Sequence, residues 1–346
     1  MVGASGYMGG EALRVLIDHP QVEIAWATSR RPAAIEEFHP NLYGTGIELI
    51  HPDDAEACDI VFMALPTKAS VDIAKRYLDT TAKVIDLGSA FRLRNRDTWE
   101  RVYEMTHPSW SLAEQAVYGV SELHLEEIAQ ARLIANPGCF SSAAILGLAP
   151  VIAEGLVDTE KLSVDGLSGT AGAGAELARA AHHPEIGNNL VPYNAVGHRH
   201  TFEMEQELNA ISRSTVHVHF TPVYVPITRG ILSICRGFLN DSVSRHDLIE
   251  LYREYYRSHP FVLIYDLPKE PSVSWQYKPY PWVSAIAGTN YCHIGLDVDE
   301  ERNSIVVFSV LDSVGKGGAQ AGVENMNIMF GLDRTTGLTR RGLHPN

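Results

Sequence analysis

The sequence predicts two domains of different class, an α/β domain with a parallel sheet followed by an α+β domain. Three observations support this prediction. Short apolar runs alternate with helical segments in residues 1–138, whereas longer β-rich runs dominate residues 139–311. The length of 346 residues exceeds what a single small core holds together. Residues 312–346 follow the β-rich part, and we expect them to return to the first domain.

The first domain is predicted from bounded apolar runs. The predicted strands are residues 22–28, 60–65, 83–87 and 133–135, and the predicted helices are residues 11–18 and 70–78. Buried strands separated by helices are typical of a parallel sheet with crossover connections. The sequence therefore predicts an α/β domain with a parallel sheet before residue 139.

The second domain begins with a buried helix over residues 143–152. Its predicted strands are residues 216–225, 230–239, 293–298 and 304–311. Runs of this length favour a largely antiparallel sheet. Residues 316–330 are rich in glycine and alanine and then apolar at helical spacing, so we expect a helix there.

Composition excludes several classes of function. The chain carries 42 acidic and 28 basic residues, a net charge of −14, which disfavours nucleic acid as a partner. No apolar run approaches the roughly 20 residues that cross a bilayer, and no basic segment precedes an apolar leader. Four scattered cysteines form no CxxC pair, and the adjacent His182 and His183 cannot face one ion from a regular element. We expect a cytoplasmic protein without a metal site.

A glycine-rich turn near the start indicates a dinucleotide site. Gly3, Gly6 and Gly9 directly precede the first helix, where backbone N–H groups and the helix dipole bind a pyrophosphate. The alternative is an ordinary tight turn. After the strand over residues 22–28 the chain reads Ser29-Arg30-Arg31, and this favours NADP over NAD because guanidinium groups suit a 2′-phosphate. The alternative there is a solvated basic corner.

Only two residues, Met1 and Val2, are left for the strand that precedes this turn. A strand usually has about five residues. We therefore expect either that the protein starts a few residues earlier or that the central strand is shortened and the domain weakened.

Cys139 is the predicted nucleophile. It follows Asn136-Pro137-Gly138 and immediately precedes an apolar helix that begins near Ser141. A helix N-terminus lowers the pKa of a thiol, so strand, turn, cysteine and helix together favour a thiolate. The alternative is a small buried hydrophobe, which is what we expect of Cys58, Cys235 and Cys292.

The proton-handling partner is predicted within Gly197-His198-Arg199-His200-Thr201-Phe202-Glu203. His200 and Glu203 are three residues apart and share a face on a helix, so the carboxylate can orient the imidazole. His198 is the alternative base. A plain N-cap at Thr201 is the structural alternative.

The chain resembles the N-acetyl-gamma-glutamyl-phosphate reductase family, including its lysine-pathway relatives that act on a carrier-linked aminoadipate phosphate. The motifs that carry the resemblance, in order, are Val2-Gly3-Ala4-Ser5-Gly6-Tyr7, Thr28-Ser29-Arg30-Arg31, His39-Pro40-Asn41-Leu42, Ala64-Leu65-Pro66, Phe91-Arg92-Leu93, Tyr118-Gly119, Asn136-Pro137-Gly138-Cys139, Gly197-His198-Arg199-His200-Thr201, Thr228-Arg229-Gly230-Ile231-Leu232, Gly288-Thr289-Asn290-Tyr291 and Asn325-Met326-Asn327. They span essentially the whole chain.

The resemblance implies a Rossmann domain and a catalytic domain of the semialdehyde dehydrogenase type, which also mediates oligomerisation to a dimer or tetramer. Cys139 would attack the acyl phosphate, NADPH would reduce the thioester, and His200 or His198 would handle the proton. The residues implied for cofactor binding are Gly3, Ser5, Gly6, Tyr7, Met8, Gly9, Ser29, Arg30, Arg31 and Ser313. Those implied for the substrate or its phosphate are Ser89, Arg92 and Arg229.

The chain departs from the family pattern at three places. Thr67 stands where the family has histidine, Ala90 where it has aspartate, and Ser313 where it has asparagine. These departures leave an NADP-binding module with impaired catalysis as an alternative from another class, and a phosphate-independent aldehyde dehydrogenase as a third. Asn136-Pro137-Gly138-Cys139 fits the arginine branch of the family. The features that fit the lysine branch are His182-His183-Pro184-Glu185, Gly288-Thr289-Asn290-Tyr291 and the tail Gly342-Leu343-His344-Pro345. Arginine biosynthesis is the preferred interpretation.

Overall fold

The computed structural model describes residues 1–273 and 275–344 and divides into two compact units. Unit 1 comprises Met1–Pro137 and Gly318–Arg340, and unit 2 comprises Gly138–Gly317 and the described residues from Arg341 onward. The segment that returns to unit 1 begins at Gly318 rather than at residue 312, because the turn after Asp312 is bonded within unit 2. The last two residues of the predicted return segment lie outside the described residues.

Unit 1 contains a mostly parallel β-sheet. The sheet consists of two groups of strands, and Val2 pairs with a strand of each group. The strands are β1 Ala27–Thr28, β2 Ala33–Ala34, β3 Glu48–Ile50, β4 Ile60–Met63, β5 Lys83–Asp86, β6 Val117–Tyr118 and β7 Leu133–Ala135. Their orders are β1-β3-β2 and β4-β5-β7-β6. Val2 forms parallel bridges to Thr28 on one side and to Met63 on the other, so this single residue takes the place of the central strand.

The prediction of a strand over residues 22–28 is wrong except for its last two residues. Thr28 donates its N–H to the carbonyl of Met1, and in the described chain no strand pairs with residues 22–26. This segment instead lines a groove of about 720 Å³ that Met1, Cys58 and Ile60 also border. The apolar pattern predicted the extended segment, but a strand also needs a neighbour to accept its hydrogen bonds.

Five α-helices of unit 1 lie within residues 1–137, and a sixth lies in the segment that returns to this unit. They are α1 Tyr7–Leu16, α2 Thr67–Leu78, α3 Arg96–Tyr103, α4 Trp110–Ala113, α5 Leu125–Gln130 and α10 Gln320–Met329. α1 begins directly after Gly6, four residues earlier than predicted. Its buried face includes Leu13 and Leu16, and α10 is buried along its whole length.

Unit 2 is built on a mixed sheet whose order, in the described residues, is β12-β13-β14-β11-β8-β10-β9. The strands are β8 Leu162–Ser168, β9 Val191–Pro192, β10 Val218–Tyr224, β11 Ile231–Phe238, β12 Val262–Ile264, β13 Cys292–Asp299 and β14 Ser304–Leu311. Only the β8–β10 and β12–β13 pairings are parallel, in agreement with the predicted largely antiparallel sheet. β8 was not predicted from the sequence, although it pairs with both β10 and β11.

The helices of unit 2 are α6 Cys139–Ala153, α7 His183–Ile186, α8 Arg199–Ile211 and α9 Arg245–Tyr255. A short π-helix, Gly315–Ala319, precedes α10. None of the described helices has both the length and the apolarity needed to cross a membrane.

α6 is the central helix of unit 2, and every residue from Phe140 to Ile152 is buried. Pro150 lies inside it and has no N–H to donate to the carbonyl of Leu146 four residues earlier. The Tyr256 hydroxyl donates to that carbonyl at 2.6 Å, and the Tyr252 hydroxyl donates to the next carbonyl, at Gly147, at the same distance. Because two buried phenols satisfy these carbonyls, the helix continues past the proline.

Candidate active site

Cys139 is the first residue of α6, two positions earlier than the sequence analysis placed the helix start. Strand β7 ends at Ala135, and Gly138 is the N-cap without any side-chain cap. Cys139 is partly exposed, whereas Cys235 and Cys292 are buried and burial raises the pKa of Cys235 to about 12. Cys58 is only partly buried, so its prediction as a buried hydrophobe holds in part. An accessible sulfur at an uncapped helix N-terminus meets the geometric requirements of a nucleophile.

Glu203 and His200 lie directly against the turn that carries Cys139. The buried Glu203 carboxylate accepts the N–H of Gly138 at Oε2, 2.9 Å away, and its Oε1 is 3.9 Å from Nε2 of His200. A Cβ at Gly138 would come within 2.4 Å of that same Nε2, so the imidazole packs on the glycine backbone. The carboxylate therefore fixes the nucleophile turn and faces the imidazole, a role wider than the predicted one of orienting His200.

His198 caps α8 with its side chain. Its Nδ1 accepts the N–H of His200 at 3.2 Å, which places the single proton of the neutral ring on Nε2. Burial, assisted by the charge of Arg199, lowers the pKa of His198 to about 4. A neutral ring whose acceptor nitrogen is already bonded to the backbone has little capacity as a base.

A turn held by Asp312 packs against the other side of Cys139. The buried Asp312 carboxylate accepts the N–H groups of Val314 and Gly315, each at 2.9 Å. Its backbone oxygen accepts the N–H of Gly317 at 2.8 Å. A Cβ on Gly317 would lie only 2.8 Å from that of Cys139, so glycine permits this close contact.

Arg229 and Ser313 are attached to the same turn. The Arg229 Nε donates to Asp312 Oδ2 at 2.9 Å, and the Arg229 side chain is 27% exposed. The Ser313 hydroxyl accepts the N–H of Gly230 at 3.4 Å. In unit 2 the structure thus gathers Cys139 with the predicted residues of α8 and connects Arg229 to it through the Asp312 turn.

The predicted cofactor residues near the start of the chain lie in unit 1. Gly3 has a φ of +78°, and a Cβ there would come within 2.4 Å of the Ala64 carbonyl. A Cβ on Gly9 would come equally close to the carbonyl of Gly3, whereas one on Gly6 would meet nothing nearer than 3.9 Å. The backbone is therefore closely packed around Gly3 and Gly9, with no room for a side chain at either position. At the start of α1, which no side chain caps, Ser5, Tyr7 and Met8 are not buried. This cradle fits a dinucleotide pyrophosphate.

Ser29, Arg30 and Arg31 follow β1, close to the same turn. The Ser29 hydroxyl donates to the hydroxyl of Ser5 at 3.4 Å and accepts the N–H of Arg31 at 3.2 Å. The Arg31 guanidinium stacks on the Phe38 ring at 4.7 Å and pairs with Glu37 at 3.1 Å. Arg30 is exposed. A hydroxyl and two guanidinium groups beside a phosphate-binding turn fit a phosphorylated ribose.

Arg92 is buried in unit 1 and donates to two backbone carbonyls, from Nε to Asn136 at 2.8 Å and from a terminal nitrogen to Leu87 at 3.3 Å. Ser89 precedes it in the loop after β5 and is partly buried. Both residues were predicted to contact the substrate. The hydrogen bond from Arg92 to the Asn136 carbonyl instead holds the backbone just before the turn that carries Cys139.

Three residues of the site were not predicted from the sequence. Asp312 holds the turn against Cys139, and Tyr193 and Tyr224 stack on each other beside His198. The aspartate sits in a motif that was considered only for its neighbour Ser313. The tyrosines come from separate segments, and no pattern in the sequence connects them. Among the described residues, no group of three His, Cys, Asp or Glu side chains could hold a metal ion.

Two family models match the chain. One is described as the semialdehyde dehydrogenase NAD binding domain and matches residues 1–131, and the other as the semialdehyde dehydrogenase dimerisation domain and matches residues 139–313. These matches confirm the predicted fold class of both parts of the chain and show that the first is a nucleotide-binding domain.

Curated relatives match over the full length of the chain. N-acetyl-gamma-glutamyl-phosphate reductase of Pelotomaculum thermopropionicum is 40% identical over 351 residues, covering 100% of this chain and 98% of the relative. The protein of the same name from Methanopyrus kandleri is 41% identical over 354 residues with the same coverage. A LysW-linked L-2-aminoadipate 6-phosphate reductase of Thermomicrobium roseum is 42% identical over 352 residues, again with 100% and 98% covered.

Solved structures share the fold at low identity. Aspartate semialdehyde dehydrogenase II of Vibrio cholerae, complexed with ASA, has a TM-score of 0.69 at 17% identity and covers 95% of this chain and 96% of its own. Aspartate semialdehyde dehydrogenase of Candida albicans with NADP has a TM-score of 0.66 at 17% identity, covering 95% and 97%. At this identity the likeness establishes the fold alone.

Proposed function

Because the chain belongs to the N-acetyl-gamma-glutamyl-phosphate reductase family, we propose that it reduces N-acetyl-gamma-glutamyl phosphate to N-acetylglutamate semialdehyde and releases phosphate. The observation that carries the proposal is the partly exposed Cys139 at the N-terminus of α6, beside His200 and Glu203. The alternative substrate is a carrier-linked aminoadipate or glutamate phosphate, which the relative from Thermomicrobium roseum favours.

The reaction begins when the Cys139 sulfur attacks the acyl carbon. The bond between that carbon and the phosphate oxygen breaks, phosphate leaves, and a thioester to Cys139 remains. The proton of the thiol passes to His200, whose Nε2 packs against Gly138, one residue from the nucleophile. NADPH, when bound, would supply the hydride that adds to the thioester carbon, and protonated His200 gives its proton to the carbonyl oxygen, which yields a neutral imidazole and a thiohemiacetal. His200 then takes the thiohemiacetal hydroxyl proton and returns a proton to sulfur as the carbon–sulfur bond breaks.

We assign His200 rather than His198 as the base. His198 uses Nδ1 to accept a backbone N–H and remains neutral because burial depresses its pKa. His200 instead faces the buried carboxylate of Glu203, which stabilises the protonated imidazole. Glu203 also fixes the peptide before Cys139 through Gly138.

We propose NADP as the cofactor. The glycine turn with Ser5 to Met8 would hold the pyrophosphate, and Ser29, Arg30 and Arg31 would hold the 2′-phosphate. The stacking of Arg31 on Phe38 supports this assignment because it holds the guanidinium in one orientation at the ribose end of such a site. Ser313 is proposed as the shorter replacement for an asparagine on the nicotinamide side.

Arg229 is the proposed cation for the acyl phosphate or the substrate carboxylate, since it is partly exposed and fixed through Asp312. Ser89 remains a proposed substrate contact. Arg92 belongs to this group by prediction, although its bonds to backbone carbonyls favour a role in positioning.

The chain contains a dimerisation domain, and we propose that it forms a homodimer or homotetramer. The face of the unit 2 sheet opposite α6 supports this proposal. It carries Phe238, which is 52% exposed, and Leu263, which is 37% exposed. Apolar side chains exposed on a sheet face are typical of an oligomer contact.

The direct test is the Cys139→Ser variant, assayed in reverse with N-acetylglutamate semialdehyde, phosphate and NADP. We expect NADPH formation to be abolished and NADP binding to survive, with Cys58→Ser as the control that keeps activity. Activity that persists in Cys139→Ser would exclude the thioester. An inactive parent protein with normal NADP affinity would support the binding-module alternative, and turnover without phosphate would support a simple aldehyde dehydrogenase. Carrier-linked aminoadipate semialdehyde, offered to the parent protein, separates the two substrates.

A further inference from the structure

Two tyrosines of unit 2 form a flat wall beside the nucleophile. The rings of Tyr193 and Tyr224 are stacked with centroids 4.4 Å apart and planes inclined by 8°. Both side chains are partly exposed, so the wall borders open space rather than the core. In such a stack each ring covers one face of the other, so a ligand can meet only an outer ring face and the phenol hydroxyls.

The strand pairing of unit 2 produces this wall. Residues 191 and 192 form β9 and pair antiparallel with Tyr224 and Val223 at the end of β10. Tyr193, the next residue, donates its N–H to the carbonyl of Pro222 at 3.2 Å. Because strand pairing fixes both backbones, the wall is preformed and does not need a ligand to assemble.

Aromatic contacts connect the wall to the catalytic residues. Tyr193 meets the His198 ring edge to face at 5.7 Å, and His198 meets Phe140, the residue after the nucleophile, at 6.1 Å. Burial raises the pKa of Tyr193, and the charge of Cys139 raises it further. The phenol of Tyr193 therefore lies within electrostatic reach of the reacting sulfur and stays protonated.

The two phenol hydroxyls of the wall act on each other, since Tyr224 contributes to the raised pKa of Tyr193. A phenol hydroxyl can donate its hydrogen to a ligand oxygen. A planar group with a carbonyl oxygen, such as an amide, can lie on the ring face and accept this hydrogen bond.

We propose that Tyr193 and Tyr224 form the subsite for the amide on the α-nitrogen of the substrate. This inference rests on the proposed function, in which N-acetyl-gamma-glutamyl phosphate carries that amide as its acetylamino group. The subsite holds the acyl-amino end while the γ- or δ-carbonyl reaches Cys139. The tyrosines are specificity-determining residues and take no part in the covalent steps.

The test compares Tyr224→Phe and Tyr193→Leu with the parent enzyme on two aldehydes. N-acetylglutamate semialdehyde has the amide, and glutarate semialdehyde is the same chain without it. We expect each variant to lower kcat/KM at least about tenfold for the first aldehyde, mainly through KM, and to leave the second within about twofold. Tyr255→Phe, on α9 against Tyr256, is the matched control and should alter neither.

A second measurement does not depend on turnover. Protection of Cys139 from iodoacetamide by N-acetylglutamate should weaken in both variants, while protection by glutarate should not change.

Equal losses for both aldehydes, or unchanged protection by N-acetylglutamate, would overturn the inference. If the parent protein turned over neither aldehyde, the proposed function would fail. The amide-dependent protection would then still decide the subsite.

Discussion

The Glu203→Gln substitution tests whether the charge of Glu203 stabilises His200 when this histidine is protonated during the reaction. The substitution keeps the shape of the side chain and an oxygen that can accept the N–H of Gly138, but it removes the buried charge that faces His200. In the parent protein that charge lies 3.9 Å from Nε2 of the imidazole, with the carboxylate fully buried. When His200 takes the proton from Cys139, the resulting ion pair forms at this distance.

The expected size of the effect follows from that distance. Two unit charges about 4 Å apart attract by about 4 kcal/mol at an effective dielectric constant of about 20. A hydrogen bond to a charged acceptor is worth about 1 kcal/mol more than one to a neutral acceptor. Because the imidazolium forms only during the reaction, we expect kcat to fall by about 10²- to 10³-fold with little change in KM.

The assay is NADPH formation from aldehyde, phosphate and NADP, with Glu207→Gln as the control. Glu207 is on the same helix, one turn further, and is also fully buried. The control reports any loss caused only by removing a buried carboxylate from α8, and thermal unfolding of both variants checks the fold. Equal losses of kcat in the two variants, or a Glu203→Gln enzyme with more than half of the parent kcat, would refute the reasoning.

Three further predictions concern unit 1. Gly10→Ala should raise the NADP Kd at least about tenfold, as measured by fluorescence titration. The new Cβ would come within 2.5 Å of the His39 ring, which is hydrogen-bonded to the Ala4 carbonyl in the glycine turn. An unchanged Kd would contradict this prediction. Asp86→Asn should remove a pH dependence of stability. Burial raises the pKa of Asp86 to about 6, so the folded state binds the proton more tightly and parent stability falls by about 2 kcal/mol between pH 4 and 6, as urea unfolding would measure; parallel pH profiles would refute it. Arg31→Ala should weaken NADP at least about tenfold and leave NAD within about twofold, and equal losses for both would contradict a 2′-phosphate contact.

Much of the fold followed from local pattern. The strands at residues 133–135 and 304–311 were predicted at their observed bounds because each is a largely apolar run with turn residues at its ends. The predicted strand over residues 22–28 is mostly wrong because a strand must pair with a neighbouring strand, and Val2 offers only a single residue for that pairing. β8 was missed because small and polar residues interrupt its apolar alternation.

The candidate site was predictable where one segment contains it. Cys139 after its glycine turn, and His200 with Glu203 at helical spacing, could be recognised from neighbouring residues alone. Tyr193 and Tyr224 are 31 positions apart in sequence, and only the pairing of β9 with β10 brings them together. The distinction between His198 and His200 needed the capping hydrogen bond, which no sequence pattern reveals.

The enclosed position of α6 has a consequence for how new specificities can arise. A displacement of Cys139 would require the repacking of thirteen consecutive buried residues, from Phe140 to Ile152. Residues 174–180 and 194–197, by contrast, are largely exposed to solvent and can accept substitutions at little cost to stability. Descendants of such a protein can therefore diversify in what they recognise while the position of the reactive sulfur is inherited unchanged.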